Sequence, residues 1–400
     1  MKILMVNKFL YPKGGAETYM LQLGARLTAL GHKVAYFGMA NPANTVGNTW
    51  GIYTSNMDFH GGSMLTKASY PLRVIYSAEA KGKMAQLLEK FQPDVLHLNN
   101  FNYQLTPSIL LAAEHHRRTV NPGLRIVYTA HDSQLVCPNH LLFRPDPPQV
   151  CEKCLSGNAL HCIQGRCIHG SLPRSILGAA EYYYWRRRNV YDILDVILCP
   201  SAFMKSRLDT DPVLAKKTVV LRNFVAQQSP ADAHKENYVL YFGRYSEEKG
   251  IRILLNVCRQ LPHIPFVFAG GGPLESLIEG IPNVRNAGFL GGEELNRLIR
   301  HARFSICPSQ CHDNCPFSVM ESIMAGTPVL GSDLGGIPDL IENGRTGWLF
   351  CAHDEVQLRT ALERIWASDE PERFRGVCLD VHFDSLPEYT QKLQVFYGEV

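Results

Sequence analysis

The chain has 400 residues, 46% hydrophobic and 19% charged, which is enough apolar material for a sizeable core and too much for a disordered polymer. Forty basic against 37 acidic residues leave a net charge of +3, which excludes a nucleic-acid binder working through a strong basic field. No apolar run approaches the ~18 residues of a membrane span, and Asn7 and Lys8 interrupt the apolar start, so a soluble, cytoplasmic, multi-domain protein without a signal peptide is expected.

Short apolar or β-branched runs alternate with helical patterns. Ile3–Asn7, Val34–Gly38, Asp94–Asn99, Arg125–His131, Val196–Ser201 and Thr218–Phe224 predict buried strands. Between the first two, Met20, Leu23, Leu27 and Leu30 share one helical face and Gly31 stops the helix. Such alternation predicts a parallel sheet covered on both faces. Gly14-Gly15 sits at the turn from first strand to first helix, which is either an ordinary turn or an exposed set of backbone N–H groups. His131 closes a strand, where a histidine is either structural or aimed at a ligand.

Five of the twelve cysteines fall between Cys137 and Cys167, in a loop-like stretch rich in Pro, Gly and Asn. Cys151-x2-Cys154 has the spacing of a zinc knuckle, and a reducing compartment favours a metal over disulfides. The expected ligands of a structural zinc ion are Cys137, Cys151, Cys154 and Cys167, with Cys162 spare and His161 and His169 as substitutes; free buried thiols are the alternative. The run Glu181-Tyr-Tyr-Tyr-Trp185-Arg-Arg-Arg188 reads either as a helix edge resting on an anionic membrane or as a core helix with a solvated basic end. Asp209-Thr210-Asp211 precedes Pro212 and reads as a solvated turn rather than a metal motif.

A second series, Tyr238–Gly243, Pro265–Gly270, Phe304–Pro308 and Pro328–Ser332, follows a patternless linker from Ala226 to Asn237. Two doubly wound domains facing across a cleft are therefore expected: 1–224, with an insertion at 137–170, and 225–384, while residues 385–400 form a helix that returns to the first domain through Tyr389, Leu393 and Phe396. In the second series Arg244 follows a strand and Lys249-Gly250 opens a helix, a pairing that suits a diphosphate or is simply a solvated strand end. Gly271 and Gly272 lie in a glycine-rich turn after the next strand. Asp313 and Glu321 stand eight apart around a helix start near Pro316, where an anion and paired hydroxyl groups are both accommodated.

Gly243-Arg244-x4-Lys249-Gly250, then Asp313-x7-Glu321, Ala325-Gly326-x-Pro328-Val329 and Gly335-Gly336-Ile337-Pro338-Asp339, resemble the retaining glycosyltransferases of family 4. The resemblance is dense in the second half of the chain and thinner in the first. It implies the α/β GT-B fold, two Rossmann-like domains, and transfer of a sugar from a nucleotide-diphosphate sugar to a glycan or lipid-linked glycan, with no catalytic metal. Arg244 and Lys249 then hold the diphosphate, Glu321 the ribose, Asp313 and His131 the transferred sugar, and Gly14, Gly15, Gly271, Gly272, Phe317 and Ser318 complete the nucleotide-sugar contacts. Asp313 departs from the family's usual Glu by one methylene. Work on a surface polysaccharide at the inner face of the membrane is the implied setting; a nucleotide-sugar epimerase on the same fold and a degenerate nucleotide-sugar binding subunit are the competitors.

Overall fold

Strands built from consecutive apolar residues must be covered on both faces, and this decides the architecture. In the computed structural model, which describes residues 1–57, 73–225 and 234–399, two units form: Met1–Asn223 with Leu386–Val400, and Phe224–Ser385. The expected linker at 226–237 falls largely outside the described residues.

In the first unit, β1 (Lys2–Val6), β2 (Lys33–Phe37), β3 (Val95–Leu98), β4 (Arg125–Thr129), β7 (Val196–Cys199) and β8 (Thr218–Val220) pair in parallel in the order β2-β1-β3-β4-β7-β8. A short antiparallel hairpin, β5 (Phe143–Pro145) and β6 (Pro148–Val150), lies in the cysteine-rich segment. The described helices are α1 (Gly15–Ala29), α2 (Ala78–Phe91), α3 (Ser108–Thr119), α4 (Leu160–Gln164), α5 (Leu172–Arg187) and α6 (Ala202–Leu208). Tyr19, Met20, Leu23 and Leu27 form the buried stripe of α1, and Gly31, at φ +88°, ends it as expected. Leu4, Phe37, Leu96, Leu98, Ile126, Tyr128 and Ile197 meet in one core.

The second unit repeats the plan with β9 (Val239–Arg244), β10 (Phe266–Gly271), β11 (Val284–Gly288), β12 (Phe304–Cys307), β13 (Val329–Ser332) and β14 (Gly347–Phe350), ordered β11-β10-β9-β12-β13-β14 and all parallel. Its helices are α7 (Ile251–Gln260), α8 (Gly292–His301), α9 (Phe317–Met324), α10 (Glu355–Trp366) and α11 (Glu370–Leu379). The pattern reading missed both edge strands. β11 carries exposed Arg285 and Asn286, which break its apolar pattern, whereas β14 is only Gly-Trp-Leu-Phe directly after the turn at Asn343–Thr346.

The last helix, α12 (Leu386–Tyr397), belongs to the first unit and packs against α1 and β4. Tyr389, Leu393 and Tyr397 are buried, whereas Phe396, expected on that face, is half-buried and uses its carbonyl to accept from Arg125 Nε at 3.2 Å. The anchors are polar as well as apolar: the Tyr389 and Tyr19 hydroxyls meet at 2.6 Å, and the Tyr397 hydroxyl meets His97 Nδ1 at 2.5 Å. Among the described residues no helix is long and apolar enough to cross a membrane. Truncating Leu393 to Ala should cost roughly 2–5 kcal/mol, because its side chain is fully enclosed, and chemical denaturation should show it as an earlier unfolding of the first unit.

Candidate functional site

The strand order of the second unit reverses between β9 and β12, and in open parallel sheets the carboxyl ends of the strands at such a reversal are the usual place for a ligand. Arg244 ends β9, and the segments after β9 and β12 carry Lys249 and Asp313. The loop after β12 is tied to the turn before α7: Gln310 N donates to Glu248 O at 2.9 Å and Ser309 Oγ to the same oxygen at 3.2 Å. Gly250 makes the approach possible, since at φ +75° a Cβ there would stand 1.9 Å from Pro308 O. Lys249 Nζ consequently forms an ion pair with Asp313 Oδ1. Burial by itself would push the ammonium down, but Asp313, with Cys311 and Cys307 behind it, holds it well above its usual value.

Asp313 is fixed from the other side by the Gly335-Gly336 motif. Gly336 N donates to Asp313 O at 2.6 Å, and Gly335 at φ +67° leaves no room for a Cβ, which would stand 2.4 Å from that oxygen. The second carboxylate oxygen, Asp313 Oδ2, is buried and has no hydrogen-bond partner among the described residues. Arg244 is exposed at the end of β9, in register with Gly271 of β10, and Tyr245 N donates to Gly271 O at 2.9 Å. Gly272 follows at once and is exposed. Phe317 and Ser318 open α9, whose first turn has no side-chain cap, and Glu321 lies one turn further on, its carboxyl pushed up to about 7 by burial. This edge of the sheet thus carries an exposed guanidinium, a paired ammonium, a helix start without a side-chain cap and two carboxyl groups, a set suited to an anion bearing hydroxyl groups.

In the first unit the polar residues also gather where strands stop. His131, just beyond β4, is half-buried; its Nε2 pairs with Asn99 Oδ1 at 2.8 Å and its ring lies 4.9 Å from that of Tyr19. Burial pushes its imidazole down to about 3, so it is neutral near pH 7. Gly14 and Gly15 are exposed at the start of α1, which again has no side-chain cap. Beside them Asn7 Nδ2 donates to Glu17 Oε1 at 3.0 Å. Beneath, His97 Nε2 meets Thr129 Oγ1 at 2.8 Å, and Thr129 Oγ1 meets the Tyr19 hydroxyl at 3.2 Å. Asn7, Glu17, His97, Asn99 and Thr129 were missed in sequence; the signal of all but Glu17, which lies in the first turn of α1, was a polar residue inside or just past an otherwise apolar strand.

The cysteine-rich segment follows His131 directly. Cys137, Cys154 and Cys162 are buried, and Cys151 and Cys167 half-buried. Among the described residues no cysteine belongs to a group of three or more ligand atoms lying within 4.8 Å of one another. His161 Nδ1 faces Gln164 Oε1 at 3.4 Å. The aromatic run of α5 belongs to the interior: Trp185 is fully enclosed, donates to Ile75 O at 2.9 Å and stacks on Tyr76, and Tyr182 is buried, leaving Arg187 and Arg188 as the exposed basic end. Asp209-Thr210-Asp211 is a turn, with Asp209 paired to Lys205 and Asp211 to Arg186.

A family model described as Glycosyltransferase Family 4 matches residues 13–228, and one described as Glycosyl transferases group 1 matches residues 236–368. The sulfoquinovosyl transferase SQD2 of Arabidopsis thaliana is 32% identical over 145 residues, 34% of this chain and 28% of that protein. The amylovoran biosynthesis glycosyltransferase AmsK of Erwinia amylovora is 29% identical over 148 residues, 33% of this chain and 36% of that protein. The chain therefore spans only about a third of the length of these relatives. The solved structure of Anabaena HepE in complex with UDP superposes over 100% of both chains with a TM-score of 0.68 at 15% identity, a likeness of fold. The fold is GT-B, as the resemblance implied.

The buried histidines set a pH prediction. His97 is fully enclosed and burial, with His131 adding to it, holds its imidazole down at about 3. As pH falls the unfolded chain takes up this proton first, so the contribution is complete above about 6.5 and is lost progressively toward about 3. Between pH 7 and pH 5 His97 alone should remove roughly 2 kcal/mol, and thermal melts of the His97→Gln variant should show a smaller acid-induced drop than the parent chain.

Proposed function

We propose that this chain, which belongs to glycosyltransferase family 4, is a retaining hexosyltransferase that moves a sugar from a nucleotide-diphosphate sugar to a glycan or lipid-linked glycan in surface polysaccharide biosynthesis. The observation that carries the reading is the Lys249–Asp313 pair, beyond the strand that ends in Arg244, at the switch point of the second sheet. A diphosphate there competes with Asp313 for the ammonium and takes a two-pronged contact from the guanidinium. The carboxylate released from Lys249 is then available to the hydroxyl groups of the donor sugar. Glu321 and the start of α9 take the ribose and the remaining negative charge. In the first unit His131, as a neutral imidazole, serves a sugar hydroxyl, and Gly14 and Gly15 offer backbone N–H groups.

Retention fits a front-face transfer in which no protein nucleophile takes part. The acceptor oxygen bonds to the anomeric carbon as the bond to the diphosphate breaks, and the acceptor's proton passes to a diphosphate oxygen. Arg244, Lys249 and the helix dipole meet the charge that develops on the leaving group, so the reading needs no catalytic metal. The names of relatives support the setting: AmsK is named for amylovoran biosynthesis, and HepE was solved with UDP. A lipid-linked acceptor places the work at the cytoplasmic face of the membrane. The contact there falls to exposed basic residues, since the aromatic residues Tyr182 and Trp185 are buried.

A thermal-shift panel of UDP-, GDP-, ADP-, dTDP- and CMP-sugars tests the donor site, because a ligand at ~100 times its Kd adds about 2.7 kcal/mol. One nucleotide should raise the Tm, and Arg244→Ala and Lys249→Ala should each abolish the shift and lower kcat/KM at least about 100-fold. Product analysis by NMR should show the donor's anomeric configuration kept, with undiminished rate in EDTA. Free sugar or its isomer formed without acceptor would identify an epimerase instead. Nucleotide binding without turnover of any acceptor would leave a binding subunit.

A further inference from the structure

Residues 38–54, which follow β2, form a loop that closes on itself: Ala40 N donates to Thr54 O at 2.8 Å and Thr54 N to Gly38 O at 3.1 Å. β2 is an outer strand of the first sheet, and the loop covers its free edge. Tyr36 N donates to Gly47 O at 3.2 Å, and Asn48 Nδ2 donates to Tyr36 O at 3.1 Å. Asn48 holds the loop together. Its Nδ2 also donates to Ile52 O at 2.9 Å, and its Oδ1 accepts from Trp50 N at 3.2 Å and Ile52 N at 3.1 Å. Its backbone N donates to the Tyr53 hydroxyl at 2.9 Å. Thr45 N and Oγ1 donate to Leu10 O at 2.9 and 3.3 Å, which ties the other arm to the segment after β1. A loop fixed in this way keeps its shape by itself, which lowers the ordering cost of binding a ligand.

The two arms border an open pocket of about 700 Å³, lined by residues 40–42, 44–49 and 53, a size within the usual range of small-molecule sites. Among the described residues its lining has no charged side chain, so it offers a phosphate or a cation no ionic partner. The walls supply amides and hydroxyls instead. Asn41 Oδ1 accepts from Ala43 N at 2.9 Å, which leaves its amide nitrogen as a donor. Asn44 Nδ2 donates to Met39 O at 2.9 Å, whereas its Oδ1 is buried and has no hydrogen-bond partner among the described residues, an acceptor still to be satisfied. Thr49 is exposed and carries a hydroxyl that both donates and accepts. Trp50 follows, 41% exposed, with its ring centre 5.8 Å from that of Phe91 at the end of α2.

We propose that this pocket binds a neutral sugar residue of the acceptor glycan, a reading that rests on the transfer proposed above. Planar amides and a hydroxyl suit a pyranose, whose several hydroxyl groups each donate and accept. The exposed indole suits the sugar's apolar C–H face. Position decides which part of the acceptor is held. β2 and β4, the strand that leads to His131, are three strand spacings apart, roughly 14 Å. The pocket therefore takes a unit further along the glycan than the one that receives the transferred sugar, and it selects acceptors by length as well as by composition.

The test uses the full chain and saturation-transfer NMR, with maltotriose, cellotriose, chitotriose and mannotriose as neutral probes and trigalacturonate as an acidic one. At least one neutral trisaccharide should bind, and more tightly than trigalacturonate. Silence from all four neutral probes, or tighter binding of the acidic one, would overturn the proposal. Thr49→Arg and Trp50→Ala change exposed side chains, and each should weaken the neutral sugar about tenfold. Undiminished binding in both variants would remove the sugar from this pocket. The nucleotide-sugar thermal shift separates this result from the donor reading. A donor shift with silent trisaccharides overturns the pocket and leaves the transferase, whereas trisaccharide binding without any donor shift keeps the sugar site and overturns its assignment to an acceptor.

Discussion

A parallel sheet covered on both faces has only one place for polar chemistry, the ends where its strands stop. Both units obey this constraint. In the second, the strand order reverses between β9 and β12, and the charged residues of the candidate site come from the end of β9, the segments that follow these two strands and the helix α9. In the first unit the order changes between β1 and β3, and Asn7, Asn99 and His131 collect at the same edge.

The Lys249–Asp313 pair shows how finely the second unit is balanced. A buried ion pair is weak support for stability, because the desolvation of both partners offsets much of their attraction. On the proposed reading its value lies in exchange: a diphosphate would take over the ammonium, while Asp313 would keep the backbone position that Gly336 N gives it. The loop that carries Asp313 is drawn close to the turn before α7. Gly250 and Gly335 permit that approach because neither position has space for a Cβ.

The first unit is held by a different device. A string of hydroxyl and imidazole groups, Tyr389–Tyr19–Thr129–His97–Tyr397, passes through the packing between α12, α1 and the sheet. Each member is buried and each is satisfied by a neighbour, which is what makes such a network favourable rather than costly. It also lies directly under the Tyr19 ring that packs on His131, so the return of the chain's last helix and the posture of the site histidine are one structural problem.

Much of this could be read along the chain. Apolar runs located the inner strands, Gly31 located a helix stop, and the spacing of Arg244, Lys249, Asp313 and Glu321 singled out the residues of the candidate site, because these features depend on neighbours in sequence. The edge strands β11 and β14 stayed hidden, since an edge needs no continuous apolar signature. Tertiary structure alone decided that Asp313 meets Lys249, that Tyr397 rather than Phe396 is the enclosed anchor, that Trp185 faces the core, and that Cys162 lies among the buried sulfurs. Each of these depends on which residues, distant in the chain, compete for the same small volume. Local periodicity carries no information about that competition; close packing resolves it.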